Sequence, residues 1–203
     1  MGYVTRTELK DWMRSTVNTA AEDVKRDRAI DAATQAINHH CTRDFTTTAG
    51  ARVFDACSSN ELVIDDAVTV TAIATDDNRD GTFETSWAAS DYQLIRWNTP
   101  YPVGETTPYV KVRAVANRRF PAVTTTSRWG LIQVTGVWGW QSVPVAVKQA
   151  CLILATRLVK RAESPEGIAG GFDEFGAVRI SSKDDPDATR LLQPYRLYEV
   201  AIA

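Results

Sequence analysis

The sequence predicts an α+β protein: N-terminal helices and a long C-terminal helix form a helical core, an antiparallel β-sheet or small barrel is inserted between them, and an extended arm follows. Three observations carry this. Two S/T-x-x-E boxes precede apolar runs near the N-terminus, short β-branched and aromatic runs fill residues 51–140, and a twenty-residue segment apolar on several sides comes after them. The boundaries are 1–50 with 141–162 for the helical core, 51–140 for the β insert and 163–203 for the arm with a short helix.

Thr5 with Glu8 and Thr19 with Glu22 fit the capping box, in which hydroxyl and carboxylate satisfy orphan backbone N–H groups reciprocally. The first helix is short, with Leu9, Trp12 and Met13 on one side. The second runs from about Ala20 to Cys41 and spaces Ile30, Ala33, Ile37 and Cys41 by three and four, a narrow apolar stripe on a charged rod. Strand signals follow in "ARVFDA", "ELVIDDAVTVTAIATD", "TFETSWA", "YQLIRW", "YVKVRAV" and "WGLIQVTGVWGW". In the longest, Val68, Val70, Ala72 and Ala74 alternate with Thr69, Thr71, Ile73 and Thr75, the period of a half-buried strand. "NTPYPVGETTPY" reads as a loop because of Pro100, Pro102, Gly104 and Pro108.

Helix returns at "SVPVAVKQACLILATRLVKR", with Ser142 as the expected cap and Pro144 in the first turn. Val143, Val147, Cys151, Leu154 and Leu158 form one stripe that Ala150, Ile153 and Val159 widen, so more than one neighbour is needed to bury it. The Gly-, Ser- and charge-rich run after it reads as an arm, and Asp185 with Pro186 starts a last helix ending near Pro194.

The chain has 203 residues, 44% hydrophobic and 24% charged, enough to bury a core. Its 23 Lys and Arg against 25 Asp and Glu exclude a nucleic-acid grip by bulk charge. Cys41, Cys57 and Cys151 are odd in number and lack CxxC pairing, which fits a reducing compartment and buried apolar roles. No signal-peptide pattern and no apolar run near 20 residues is present, so no membrane partner is expected.

Chemistry is hard to assemble. Asp76, Asn78, Asp80 and Gly81 reproduce the start of an EF-hand loop, but position twelve from Asp76 is Trp87 where a bidentate Glu is required. The flanks are β-like, and Asp, Asn and Gly favour tight turns without any metal. The expectation is a hairpin tip, with the Asp76, Asn78 and Asp80 cation loop as the weaker reading. His39 and His40 beside Cys41 have no second ligand cluster at zinc spacing, and at a helix C-terminus they complement the dipole. No GxSxG, Walker loop or GxGxxG ahead of a helix is present, so no catalytic residue and no cofactor is assigned and the chain is read as a non-enzyme. Trp138 and Trp140 fall on one face of a strand and serve either core packing or a protein interface. "RWG" at Arg128 to Gly130 and "NRRF" at Asn117 to Phe120 raise the same question.

The stretch "AATQAINHHCTRDF", with "VTGVWGWQSVPVAVKQACLILATRLVKRAESPEGIAGGFDEFGAVRIS" and "DPDATRLLQPYR", resembles the head-tail connector (adaptor) proteins of long-tailed bacteriophages, most strongly from Gly136 to Arg196. Simpler members join their helices by short loops, whereas here about 90 residues of predicted strand intervene. The resemblance implies a structural virion protein at the head-tail neck, met in the host cytoplasm during assembly. It would form a homo-oligomeric ring, commonly of twelve, beneath the portal protein, and double-stranded DNA would pass through the lumen without specific binding.

A head-tail stopper or other neck protein would lie beyond it. Mild acidity suits such a channel, since each Lys or Arg on phosphate adds salt-sensitive friction. Phe172, Phe175, Ile180, Leu191, Leu192 and Tyr195 are the expected portal-facing anchors, and Trp138, Trp140, Leu154 and Leu158 the expected subunit interface. The competing readings are a calcium-dependent β-type binding module with helical flanks and a hydrolase using carboxylates alone, which no spacing supports.

Overall fold

The computed structural model describes residues 2–56, 58–96, 106–121, 129–163, 168–169, 178–179 and 185–197. It divides into two compact units, one of residues 1–43 with 143–203 and one of residues 44–142.

In the helical unit, α1 spans Arg6–Trp12 and α2 spans Ala20–Cys41. The Thr5 and Glu8 box forms in full: the Glu8 N–H donates to Thr5 Oγ1 at 3.2 Å, and Glu8 Oε2 accepts the Thr5 N–H at 2.6 Å. Thr19 Oγ1 accepts the Glu22 N–H at 3.3 Å and caps α2. The predicted stripe of Ile30, Ala33, Ile37 and Cys41 is buried. The charged rod departs from expectation at Arg26, which is 2% exposed. Its guanidinium donates to Asp23 Oδ1 at 3.1 Å, Ser15 Oγ at 2.9 Å and the Val17 carbonyl at 3.1 Å, so it ties down the α1–α2 loop.

The long helix α3 spans Val145–Glu163 and packs against α2. Its first bond, from the Lys148 N–H to the Pro144 carbonyl at 3.0 Å, makes Pro144 the cap and not Ser142. Proline disfavours the helical region for the residue before it, so Val143 cannot lie inside the helix. The fully buried stripe is Val147, Ala150, Cys151 and Ala155 with Val159, while Leu158 is exposed. Thr34 Oγ1 on α2 lies 3.9 Å from Cys151 Sγ within this stripe. After a two-residue antiparallel ladder, β7 (Ile168–Ala169) with β8 (Val178–Arg179), α4 spans Pro186–Leu192. Asp185 caps α4 by accepting the Asp187 and Ala188 N–H groups, a 3-10 turn over Gln193–Tyr195 follows, and α4 packs on α3.

The β unit contains β1 (Thr48–Phe54), β2 (Glu61–Thr75), β3 (Thr85–Trp87), β4 (Tyr92–Arg96), β5 (Tyr109–Ala114) and β6 (Ile132–Trp138). All pairs are antiparallel in the order β1-β6-β2-β5-β4, and β3 pairs with the end of β2. The sheet is open, not a closed barrel. Its core gathers Leu62, Ile64, Ile73, Trp87, Val112, Phe120, Ile132, Val134 and Trp138.

Strand β2 corrects the simple alternation. Leu62 and Ile64 point inward near its start, Val68 and Val70 are half-buried, and Ile73 and Thr75 are inward near its end. Register shifts between Ala67 and Thr69 and between Val70 and Ala72 account for this, because one extra residue moves every later side chain to the opposite face.

Candidate functional site

Among the described residues, the feature closest to a chemical site is the acidic tip between β2 and β3. Asp76 leaves β2 with its N–H donating to the Leu131 carbonyl at 2.9 Å, and the residue is 1% exposed. Its Oδ1 accepts the N–H groups of Arg79 at 2.6 Å and Asp80 at 3.2 Å, and its Oδ2 accepts that of Gly81 at 2.8 Å. The chain closes around the carboxylate because Arg79 (φ 66°) and Gly81 (φ 98°) take left-handed geometry. Asp80 Oδ1 accepts the Thr82 N–H at 2.8 Å, and Glu84 Oε1 accepts that of Asn78 at 3.2 Å.

Asp76, Asp80 and Glu84 each bring an oxygen within 4.8 Å of the others. Asn78, the middle member of the expected cation loop, bonds with Asp80. Its amide donates to Asp80 Oδ2 at 3.2 Å, and its carbonyl oxygen accepts the Asp80 N–H at 3.0 Å. Trp87, at the twelfth position, is a core residue stacked on Phe120 with ring centroids 4.6 Å apart. The carboxylates therefore serve backbone donors, the chemistry of a hairpin tip.

The two described cysteines, Cys41 and Cys151, are buried. Burial pushes the Cys41 thiol up to about 12 and the Cys151 thiol up to about 11, so neither forms the nucleophilic thiolate at neutral pH. Cys57 lies outside the described residues.

Of the expected interface residues, Trp138 and Trp140 prove to be core. Trp138 is 1% exposed, donates Nε1–H to the Gly50 carbonyl at 2.8 Å, and packs against Phe54 at 5.5 Å beneath the Arg52 guanidinium. Trp140 is 2% exposed, donates Nε1–H to Asp66 Oδ2 at 3.0 Å, and tilts against Phe45 at 5.3 Å. A buried indole whose N–H is satisfied within its own sheet has little left to offer a second subunit. Leu154 is half-buried and Leu158 exposed on α3.

Leu192 and Tyr195 are buried within the helical unit and Leu191 is half-buried, so the first two act as core in this chain and not as free anchors. Phe172, Phe175 and Ile180 lie outside the described residues. In "NRRF", Arg118 pairs with Asp91 at 3.1 Å and Phe120 is buried. In "RWG", Trp129 is 76% exposed, an aromatic surface of the kind interfaces use.

No protein-family model matches the sequence, and no curated protein matches it. Solved structures do. A chain in the neck of an empty GTA particle, computed with C6 symmetry, aligns over 99% of this chain and 93% of its own at 20% identity and a TM-score of 0.56. A chain in the neck of a native GTA particle, computed with C12 symmetry, aligns over 97% and 90% at 18% identity and a TM-score of 0.54. A chain of the virion of a native gene transfer agent particle aligns over 99% and 93% at 21% identity and a TM-score of 0.55. The likeness runs through both units, so the fold, β insert included, is that of chains from a gene transfer agent neck and virion.

Proposed function

We propose that this chain is a structural, non-enzymatic protein of a virion neck: a head-to-tail connector that forms a ring beneath the portal, joins the DNA-filled head to the tail and lets double-stranded DNA pass. The observation that carries the reading is the likeness, over 97–99% of the chain, to neck chains computed with C6 and C12 symmetry. The C12 symmetry of one of those necks supports a ring of twelve, and a heterologous interface is what would close it.

The chemistry agrees. The two thiols described are buried, and the acidic tip spends its carboxylates on backbone donors. Residues 44–142 hold 8 Lys and Arg against 11 Asp and Glu, a balance unsuited to gripping phosphate. Phe172, Phe175, Ile180 and Leu191 remain the proposed anchors for the portal, and Leu154 with Leu158 on α3 the proposed helical contribution to the subunit interface.

The test is to incubate the purified full chain with portal rings of the same particle and image the products by negative stain. The reading predicts a second ring stacked on the portal. Portals that stay bare at saturating chain would contradict it.

A further inference from the structure

The open sheet has two unlike edges. Strand β1 pairs only with β6, and β4 only with β5, among the described residues. Edges of this kind present backbone N–H and C=O groups to any strand that reaches them, and proteins usually protect them with Lys, Pro, bulges or brevity. Strand β1 has none of these defences. It is seven residues long, TAGARVF, without proline and with one charge, Arg52, which is paired with Asp65 at 2.6 Å. Its register with β6 runs unbroken from Thr48 opposite Trp138 to Phe54 opposite Ile132. Thr48, Ala49, Gly50, Ala51 and Val53 are exposed.

An apolar anchor stands beside this edge. Val53 is 49% exposed and Trp129 76%. The chain after Trp129 runs against β1: the Gly130 N–H donates to Asp55 Oδ1 at 2.8 Å, and a Cβ on Gly130 would lie 2.8 Å from Val53 Cγ1. An exposed tryptophan beside a strand that is an edge among the described residues combines the side-chain anchor and the backbone ladder that strand addition uses.

We propose that β1 joins one copy of this chain to the next by pairing with β4 of the neighbouring copy, in parallel, with Val53 and Trp129 packing across the junction. Direction follows from topology. Every neighbour along β1-β6-β2-β5-β4 is antiparallel, so the first and fifth strands of the path run the same way. A rotation that carries one sheet onto the next therefore brings β1 and β4 together in parallel. The occupant is a second copy because two different edges on one sheet supply the heterologous contact that closed rings need, whereas β1 on β1 is isologous and stops at a dimer. The likeness to neck chains computed with C6 and C12 symmetry favours closure over a dimer. This inference rests on the ring reading above.

The experiment places one cysteine at each edge, Ala51→Cys on β1 and Gln93→Cys on β4, both exposed sites, in a Cys57→Ser background where Cys41 and Cys151 are buried. The full chain carrying both is treated with a short bismaleimide, and parallel samples without cross-linker are imaged for rings. A ladder of covalent multimers from the double variant, with neither single variant cross-linking, is expected. Dimers from Ala51→Cys alone would show an isologous edge and overturn the proposal. Rings without a ladder would overturn it and leave the ring reading standing, whereas the absence of both rings and ladder would overturn the two together. As a second measure, Val53→Lys with Trp129→Ser should abolish rings while circular dichroism stays unchanged. Rings that persist in that variant would also contradict the proposal.

Discussion

The carboxylate of Asp76 receives the backbone N–H of Gly81 at 2.8 Å, five residues along, while its other oxygen receives those of Arg79 and Asp80. One buried side chain thus closes the β2–β3 tip. Replacing it leaves three donors without their acceptor, each a loss of about 1 kcal/mol or more. Asp76→Ala is expected to destabilise the protein by about 3 kcal/mol in urea unfolding. Glu84→Gln, at the rim of the same tip, should cost under about 0.5 kcal/mol.

Because those oxygens are occupied by the backbone, calcium should have little differential affinity for the folded chain. Thermal unfolding in excess calcium and in chelator is therefore expected to give the same midpoint. A rise with calcium that follows ligand linkage would restore the binding-module reading.

The Thr5 and Glu8 box gives a pH signature. The Thr5 backbone N–H, and then its hydroxyl, hold the Glu8 carboxyl below its ordinary range. A carboxyl lowered in the fold contributes stability above its unfolded value, about 4.3, and loses it as pH falls through the folded value. Glu8→Gln should lower stability near neutral pH and remove part of the acid-side slope, so the two curves converge at low pH. Thr5→Ala should cost about 1 kcal/mol at pH 7 by equilibrium unfolding.

Gly139 follows β6 with φ 97°, and a Cβ built on it would lie 1.8 Å from the Thr46 carbonyl oxygen. Both the left-handed backbone and the contact exclude a side chain. Gly139→Ala is expected to lose about 3 kcal/mol, at the upper end for a single substitution. Gly50→Ala is the contrast: a Cβ there meets nothing within 4 Å, and stability should change by under about 0.5 kcal/mol.

Truncation is a poor test of the portal anchors, because Ala188, Leu192 and Tyr195 are buried parts of the helical unit. Removing 164–203 should uncover α3 and lower the melting temperature. The better variant is Phe172→Ser with Phe175→Ser. It is expected to keep the wild-type melting temperature and to lose portal attachment in co-sedimentation.

Elements announced by local chemistry were legible. The hydroxyls of Thr5 and Thr19 and the carboxylate of Asp185 mark helix starts because they serve N–H groups within a few residues. The tip at Asp76 to Gly81 is legible for the same reason. What depends on partners distant in sequence was not. Leu158 and Ala155 both sit on α3, and their burial depends on which of its sides the other helices of the unit cover. The bulges of β2 are set by its pairing with β6, some sixty residues away, and no alternation within 68–75 reveals them. Arg26 reads as one more surface charge, and only the turn at Ser15 and Val17 gives its guanidinium a reason to be buried.

The central claim is a place in the neck between head and tail. Its most direct test is electron microscopy of particles assembled with this one chain deleted and then supplied in trans. The account predicts DNA-containing heads and separate tails that fail to join until the chain is restored. Normally tailed particles assembled without it would contradict the account.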